Sequence, residues 1–158
     1  MAGDLIMREV YFMDTSILVN ILQIPGMSQC QGRVMEDLKD YISRKAVLIL
    51  PLATIIETGN HIAHISNGDI RLKCAKKMAT FLQKTVAGEA PWTYNKNELG
   101  AEELLHIASA FPEAALQLGM GTGDLAILEA YRKYKREYGR FIQVSIWSLD
   151  KHLKAYEE

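Results

Sequence analysis

Four acidic residues, Asp14, Glu57, Asp124 and Asp150, each stand where an apolar, strand-like run gives way to a helix start. Strands of a parallel sheet all end on one edge, so side chains at those ends meet in a single crevice even when they come from distant parts of the chain. Carboxylates gathered there repel one another and call for cations. Magnesium and manganese are hard ions that prefer carboxylate and water oxygens, so four acids suffice for one or two of them. Taken singly, each acid has a plainer use. Thr54-Ile55-Ile56-Glu57 has the spacing of a capping box, Asp124 would sit in a first helical turn, and Asp14 and Asp150 would serve as N-caps. Taken together, four acids exceed what capping requires, because Thr15, Ser16, Thr54, Thr122 and Ser148 cap without charge.

The elements that must position these acids alternate along the chain. Val10–Met13 is a β-branched and aromatic run that reads as a buried strand, and Thr15 or Ser16 opens a helix through Leu22 that ends near Pro25-Gly26. Val34, Leu38, Tyr41 and Ile42 recur at helical spacing. Val47–Leu50 is wholly apolar, as a central parallel strand is, and a helix follows from Thr54. Leu72, Ala75, Ala79, Leu82 and Val86 mark another helix. Gly88–Gly100 reads as a loop that Trp92 and Tyr94 pack down, with room for a further strand up to Asn95. Ala101–Ala110 and Glu113–Leu118 read as two helices broken at Pro112. Thr122 opens an amphipathic helix that Gly139 stops, Phe141–Trp147 is the last strand, and Lys151–Tyr156 a short terminal helix. Strands each followed by a helix predict a three-layer α/β domain with a mostly parallel sheet.

Composition narrows the function classes. The 158 residues fit one domain, and 18 Lys plus Arg against 19 Asp plus Glu give a net charge of -1. That balance excludes a protein that grips nucleic acid by bulk charge, so any such contact must be a local patch. Cys30 and Cys74 have no CxxC spacing and suit a reducing compartment. Met1–Glu9 lacks the apolar core of a signal peptide and no run approaches the length of a membrane span, so the expectation is a cytoplasmic protein without membrane contact.

In this setting Met13-Asp14-Thr15-Ser16-Ile17-Leu18 resembles the opening motif of PIN-domain ribonucleases, an aspartate ending the first strand before a hydroxyl residue. Ile56-Glu57-Thr58-Gly59 resembles their second motif, Gly123-Asp124-Leu125-Ala126-Ile127-Leu128 the third, and Ser148-Leu149-Asp150-Lys151-His152-Leu153 the fourth. The four blocks occur in the family's order, with the expected strand or helix context at each. Residues 67–119 are unmatched and read as a helical elaboration of one PIN-like domain spanning 1–158. The resemblance implies a metal-dependent ribonuclease, an endonuclease hydrolysing RNA phosphodiesters with Mg²⁺ or Mn²⁺. Asp14, Glu57 and Asp124 would be the inner ligands, and Asp150 would complete the set directly or through water. Thr15, Ser16, Thr122 and Ser148 would orient carboxylates or waters. Such ions, about 3.5 to 4 Å apart when paired, activate a water on one side of a phosphodiester and stabilise the departing oxygen on the other. The family includes toxins of toxin–antitoxin pairs, so an antitoxin or other protein partner and a homodimer are further expectations.

Other features compete for a role. His61 and His64 share a helix face with Glu57 and offer an alternative zinc site. Arg71, Lys73, Lys76 and Lys77 form one basic cluster, and Arg132, Lys133, Lys135 and Arg136 another. Either is a solvated helix face unless it borders the acidic crevice, in which case Lys76, Lys77, Arg132 and Lys133 would contact RNA phosphates. Met120-Gly121-Thr122-Gly123 looks like an anion-binding turn but lacks the lysine of a P-loop. Two further functional classes stand beside the nuclease: a catalytically weak PIN-like module that binds protein or RNA, and a phosphohydrolase acting on a small phosphoester.

Overall fold

The computed structural model describes residues 7–156, and the stretch read for a leader falls outside them up to Ile6. Four strands form one sheet in the order β3-β2-β1-β4. They are β1 (Arg8–Met13), β2 (Val47–Ile49), β3 (Trp92–Thr93) and β4 (Ile142–Trp147), and every pairing is parallel. Around them lie α1 (Thr15–Ile21), α2 (Gln31–Ser43), α3 (Leu52–Ala63), α4 (Gly68–Ala87), α5 (Ala101–Leu118), α6 (Thr122–Tyr138) and α7 (Lys151–Lys154). No helix of the described residues is long and apolar enough to cross a membrane.

The period-two alternation of the central strand builds the layers. Val10 and Phe12 of β1 face one side, where Val144 and Ile146 of β4 and Ile127, Leu128 and Tyr131 of α6 complete a core. Met13 faces the other side and packs with Leu48, Trp147, Ile17 of α1 and Val34 and Leu38 of α2. Both sheet faces are covered, which is why the strands read as continuous apolar runs. A further cluster joins Leu18 and Leu22 of the α1 region to Ile62 of α3 and Cys74, Met78 and Phe81 of α4.

The chain leaves β1 for β2 on one side and returns from β3 to β4 on the other, so the strand order reverses beside β1. In open parallel sheets ligands bind in the crevice that such a reversal opens outside the carboxyl ends of the strands. Asp14 follows β1 and Asp150 follows β4, the two strands flanking that point.

Two elements depart from the sequence expectation, and the further strand allowed for between Gly88 and Asn95 is present. Residues 92–93 are a true strand, paired with β2, and the loop around them packs down through Trp92, which stacks on Phe81 at 4.4 Å and donates Nε1–H to Thr85 Oγ1 at 2.8 Å. The expected break at Pro112 is absent and α5 runs through it. Proline removes one helical donor, and here both Pro112 and Ala108, whose carbonyl loses that donor, are exposed to solvent. Gly88 and Gly119 instead supply the stops, ending α4 and α5 in the left-handed conformation at φ 75° and 60°. Finally, α3 begins at Leu52 rather than Thr54, because Pro51 takes the extended N-cap position.

Candidate active site

Asp14 stands at the centre of the carboxyl edge. Its backbone N–H continues the β1–β4 ladder onto the Trp147 carbonyl at 3.0 Å, beside the Met13–Trp147 register pair. The position is the N-cap of α1, yet the carboxylate makes no capping bond. Instead Oδ2 accepts from Ser16 Oγ at 2.9 Å and Ser148 Oγ at 2.7 Å, with Asp14 only 4% exposed. Each serine also accepts a backbone N–H, Ser16 from Leu149 and Ser148 from Asp150, both at 2.9 Å. A hydroxyl has one proton to give, so the accepted N–H groups commit both protons to Asp14. The turn that carries Asp150 is thereby tied to Asp14.

Glu57 lies in the second turn of α3 and reaches the same edge. Its Oε2 accepts from Thr15 Oγ1 at 2.8 Å, and its carboxylate lies against Gly123, where any added Cβ would collide with it. The capping-box expectation for Thr54 and Glu57 does not hold. Thr54, fully buried, donates to the Met13 carbonyl at 2.7 Å and so clamps α3 to the end of β1. The start of α3 is capped from afar by Glu98, which accepts the Leu52 N–H at 3.0 and 3.3 Å and whose carboxyl is raised by burial against the lowering effect of that bond. Thr54, Gly123 and Glu98 were missed as contributors to the site. The glycine had a signal, but it read as an anion turn rather than as the seat of a carboxylate 66 residues away.

Asp124 occupies the first turn of α6 without a side-chain capping bond at the helix N-cap. Burial, then the charges of Asp14, Glu57 and Asp150, push its carboxyl up to about 6. Four segments of the chain therefore deliver carboxylates whose fields overlap. A favourable helix dipole alone would move Asp124 the other way. Asp150 is exposed at the rim. Of the hydroxyl residues expected to orient acids, Thr15, Ser16 and Ser148 do so; Thr122 is exposed and bonds to no described carboxylate. The Thr58 hydroxyl, next along α3 from Glu57, is buried without a hydrogen-bond partner among the described residues.

The expected RNA contacts do not gather at this edge. Lys77 Nζ donates to the Leu22 carbonyl at 2.9 Å, at the far end of α1 from Asp14, a separation of about 12 Å at the helical rise. Lys76 lines the same groove there. Arg132 pairs with Glu129 at 3.4 Å and Lys133 with Glu103 at 3.9 Å, two to three turns along α6 from Asp124. Both glutamates are buried; Lys133 meets Glu103 across the α5–α6 contact, whereas Arg132 and Glu129 are neighbours along α6 itself. The histidines offer no zinc set: His61 is exposed and His64 Nδ1 lies 2.7 Å from the Asn60 carbonyl of its own helix.

The donor chemistry at the edge fits a magnesium or manganese ion, being all oxygen, and the upward shift of Asp124 shows charge that a cation would offset. Among the described residues no three of His, Cys, Asp and Glu form a ready-made ligand group. No protein-family model matches the sequence, and comparison with curated proteins finds no match.

Proposed function

We propose that this chain is a PIN-like, metal-dependent ribonuclease that hydrolyses RNA phosphodiesters at the carboxyl edge of its sheet. The observation that carries the reading is the Asp124 carboxyl, raised first by burial and then by the charges of Asp14, Glu57 and Asp150, while Thr15 and Ser148 hold Glu57 and Asp14 near the same strand ends. Perturbed acids clustered in this way mark sites of function more often than sites of stability. Asp14, Glu57 and Asp124 would hold Mg²⁺ or Mn²⁺, with Asp150 completing the set, and the bound ion would supply activation of water and neutralisation of phosphate charge.

The chain's own residues do the positioning. Ser16 and Ser148 fix the Asp14 rotamer through Oδ2 and leave Oδ1 without a hydrogen-bond donor among the described residues. Thr15 holds Glu57 Oε2, and Gly123 lets that carboxylate lie against the start of α6, beside Asp124. The α6 N-terminus adds a positive partial charge at the same place, favourable to a phosphate oxygen. An antitoxin and a homodimer belong to this reading as partners to be sought. The alternative, a PIN-like interaction module of weak activity, is favoured by the lack of a ready-made three-residue ligand group among the described residues.

The deciding experiment incubates purified protein with single-stranded and structured RNA in magnesium, manganese or EDTA. Cleavage that requires a divalent ion and is lost in Asp14→Asn supports the enzyme. Cleavage as fast in Asp14→Asn as in the parent assigns the activity elsewhere and leaves the interaction module.

A further inference from the structure

Away from the acidic edge, α4 turns a row of lysines onto a groove of about 660 Å³. Lys73, Lys76, Lys77 and Lys84 lie on one helical face, since steps of three, four and seven or eight residues return to the same side. From Lys73 to Lys84 the row covers 12 residues, about 16 Å along the helix. Its floor is apolar, made by Ile21, Leu22, Phe81 and Trp92. Lys77 is spent on the Leu22 carbonyl and Gln23. Lys73, Lys76 and Lys84 are exposed, and none of their ammonium groups has an ion pair or hydrogen bond among the described residues. Among the described residues Glu89 is the one acid lining the groove.

From this charge pattern we infer that the groove between α4, the end of α1 and β3 docks an acidic amphipathic segment of a protein partner, independently of whether the chain is a nuclease. An apolar floor takes one face of such a segment, and lysines a turn apart meet carboxylates on its flank. A single-stranded nucleic acid shares the charge but asks for open aromatic faces on which bases stack. Here the two aromatics stack on each other at 4.4 Å, Phe81 is buried, and the Trp92 N–H is held by Thr85. Apolar surface with lysine on its rim, and two aromatics already stacked on each other, favours peptide over RNA.

Trp92 supplies the readout. It is half-buried in the groove, whereas Trp147, at 3% exposure in the sheet core, gives a constant background. The probes are an 18-residue synthetic helix with leucine on one face and glutamate on both flanks, a scrambled peptide of the same composition, and a 12-nucleotide oligouridylate. The leucine–glutamate helix is expected to shift Trp92 emission to the blue, to bind more weakly as salt rises, and to bind at least about tenfold more weakly to the Lys73→Glu, Lys76→Glu, Lys84→Glu variant. The scrambled peptide should bind several-fold more weakly than the helix. Melting confirms that the variant is folded, and Lys76→Ala with Lys84→Ala is the milder substitute if it is not. Unchanged Trp92 emission, equal binding to the variant, or equal binding of the scrambled peptide would overturn the inference. A stronger response to the oligouridylate would reassign the groove to nucleic acid.

Discussion

Two sets of buried or half-buried carboxylates in this protein have opposite surroundings. At the α5–α6 contact, Glu103 accepts the Gly100 N–H at 2.7 Å and faces Lys133 and Arg136, while Glu129 faces His106 and Arg132. The Gly100 bond and the two cations hold the Glu103 carboxyl below its usual range, outweighing burial. At the sheet edge burial, and then the neighbouring acids Asp14, Glu57 and Asp150, raise the Asp124 carboxyl to about 6. The first set is satisfied within the chain and binds one helix to another. In the second, the charges that act on Asp124 are those of Asp14, Glu57 and Asp150, all acids, an arrangement that suits something brought from outside the chain.

Substitutions should therefore separate activity from stability according to which set they touch. The largest effect is expected from Asp14→Asn, which keeps size and removes charge: RNA cleavage in manganese should fall by orders of magnitude while melting stays near that of the parent. Gly123→Ala comes next, because the new methyl displaces the Glu57 carboxylate. Shifts of that kind cost on the order of a hundredfold in rate, measured as initial cleavage velocity at saturating manganese. Ser148→Ala should lower the same velocity about 10- to 100-fold, the usual effect of removing a group that orients a ligand.

Glu129→Ala tests the other side of the comparison. It strands Arg132 and His106 and is expected to destabilise by about 1–3 kcal/mol in denaturant unfolding, with cleavage per folded molecule unchanged. A loss of cleavage here, without unfolding, would erase the distinction between the two sets.

Both sets contain acids near helix starts, and the chain alone could not tell them apart. Asp14 and Asp150 were legible because they follow apolar strands, and strand C-termini share an edge whatever their separation in sequence; Asp124 follows a helix and Glu57 lies in a second helical turn, so the strand-end reading does not hold for those two. Order and type of the long elements were legible for the same reason, as Val10–Met13 and Val47–Leu50 are too apolar for anything but a covered sheet. Partner choice was not. Lys76 and Lys133 sit in similar basic runs, yet Lys133 meets a buried glutamate 30 residues earlier and Lys76 lines an apolar groove. Capping was equally opaque: Thr54 and Glu57 have a capping box's spacing, but Pro51 starts the helix earlier and Met13 and Thr15 claim both side chains. Pro112 looked like a break because propensity counts the lost donor and not the solvent that replaces it.

The smallest effect concerns pH and follows from Asp124. A carboxyl whose folded value lies above its unfolded one opposes folding once it is ionised. The penalty is therefore present above pH 6 and fades as the pH falls from 6 toward 3.8, where both states are protonated. In EDTA at pH 7.5, Asp124→Asn should be more stable than the parent by about 1–2 kcal/mol, or a few degrees in melting temperature. The gap should shrink by pH 5. An equal gap at both pH values would mean that ionisation of Asp124 is not its cause.

Manganese-induced stabilisation of the parent and of Asp124→Asn, compared by melting at pH 7.5, tests most directly whether the edge carboxylates act as one cation site. Binding to the folded state alone raises stability with ion concentration, so the parent should gain several degrees between EDTA and millimolar manganese. Asp124→Asn should start higher in EDTA and gain much less. Equal gains in the two proteins would reduce Asp124 to a helix-start charge and contradict the account.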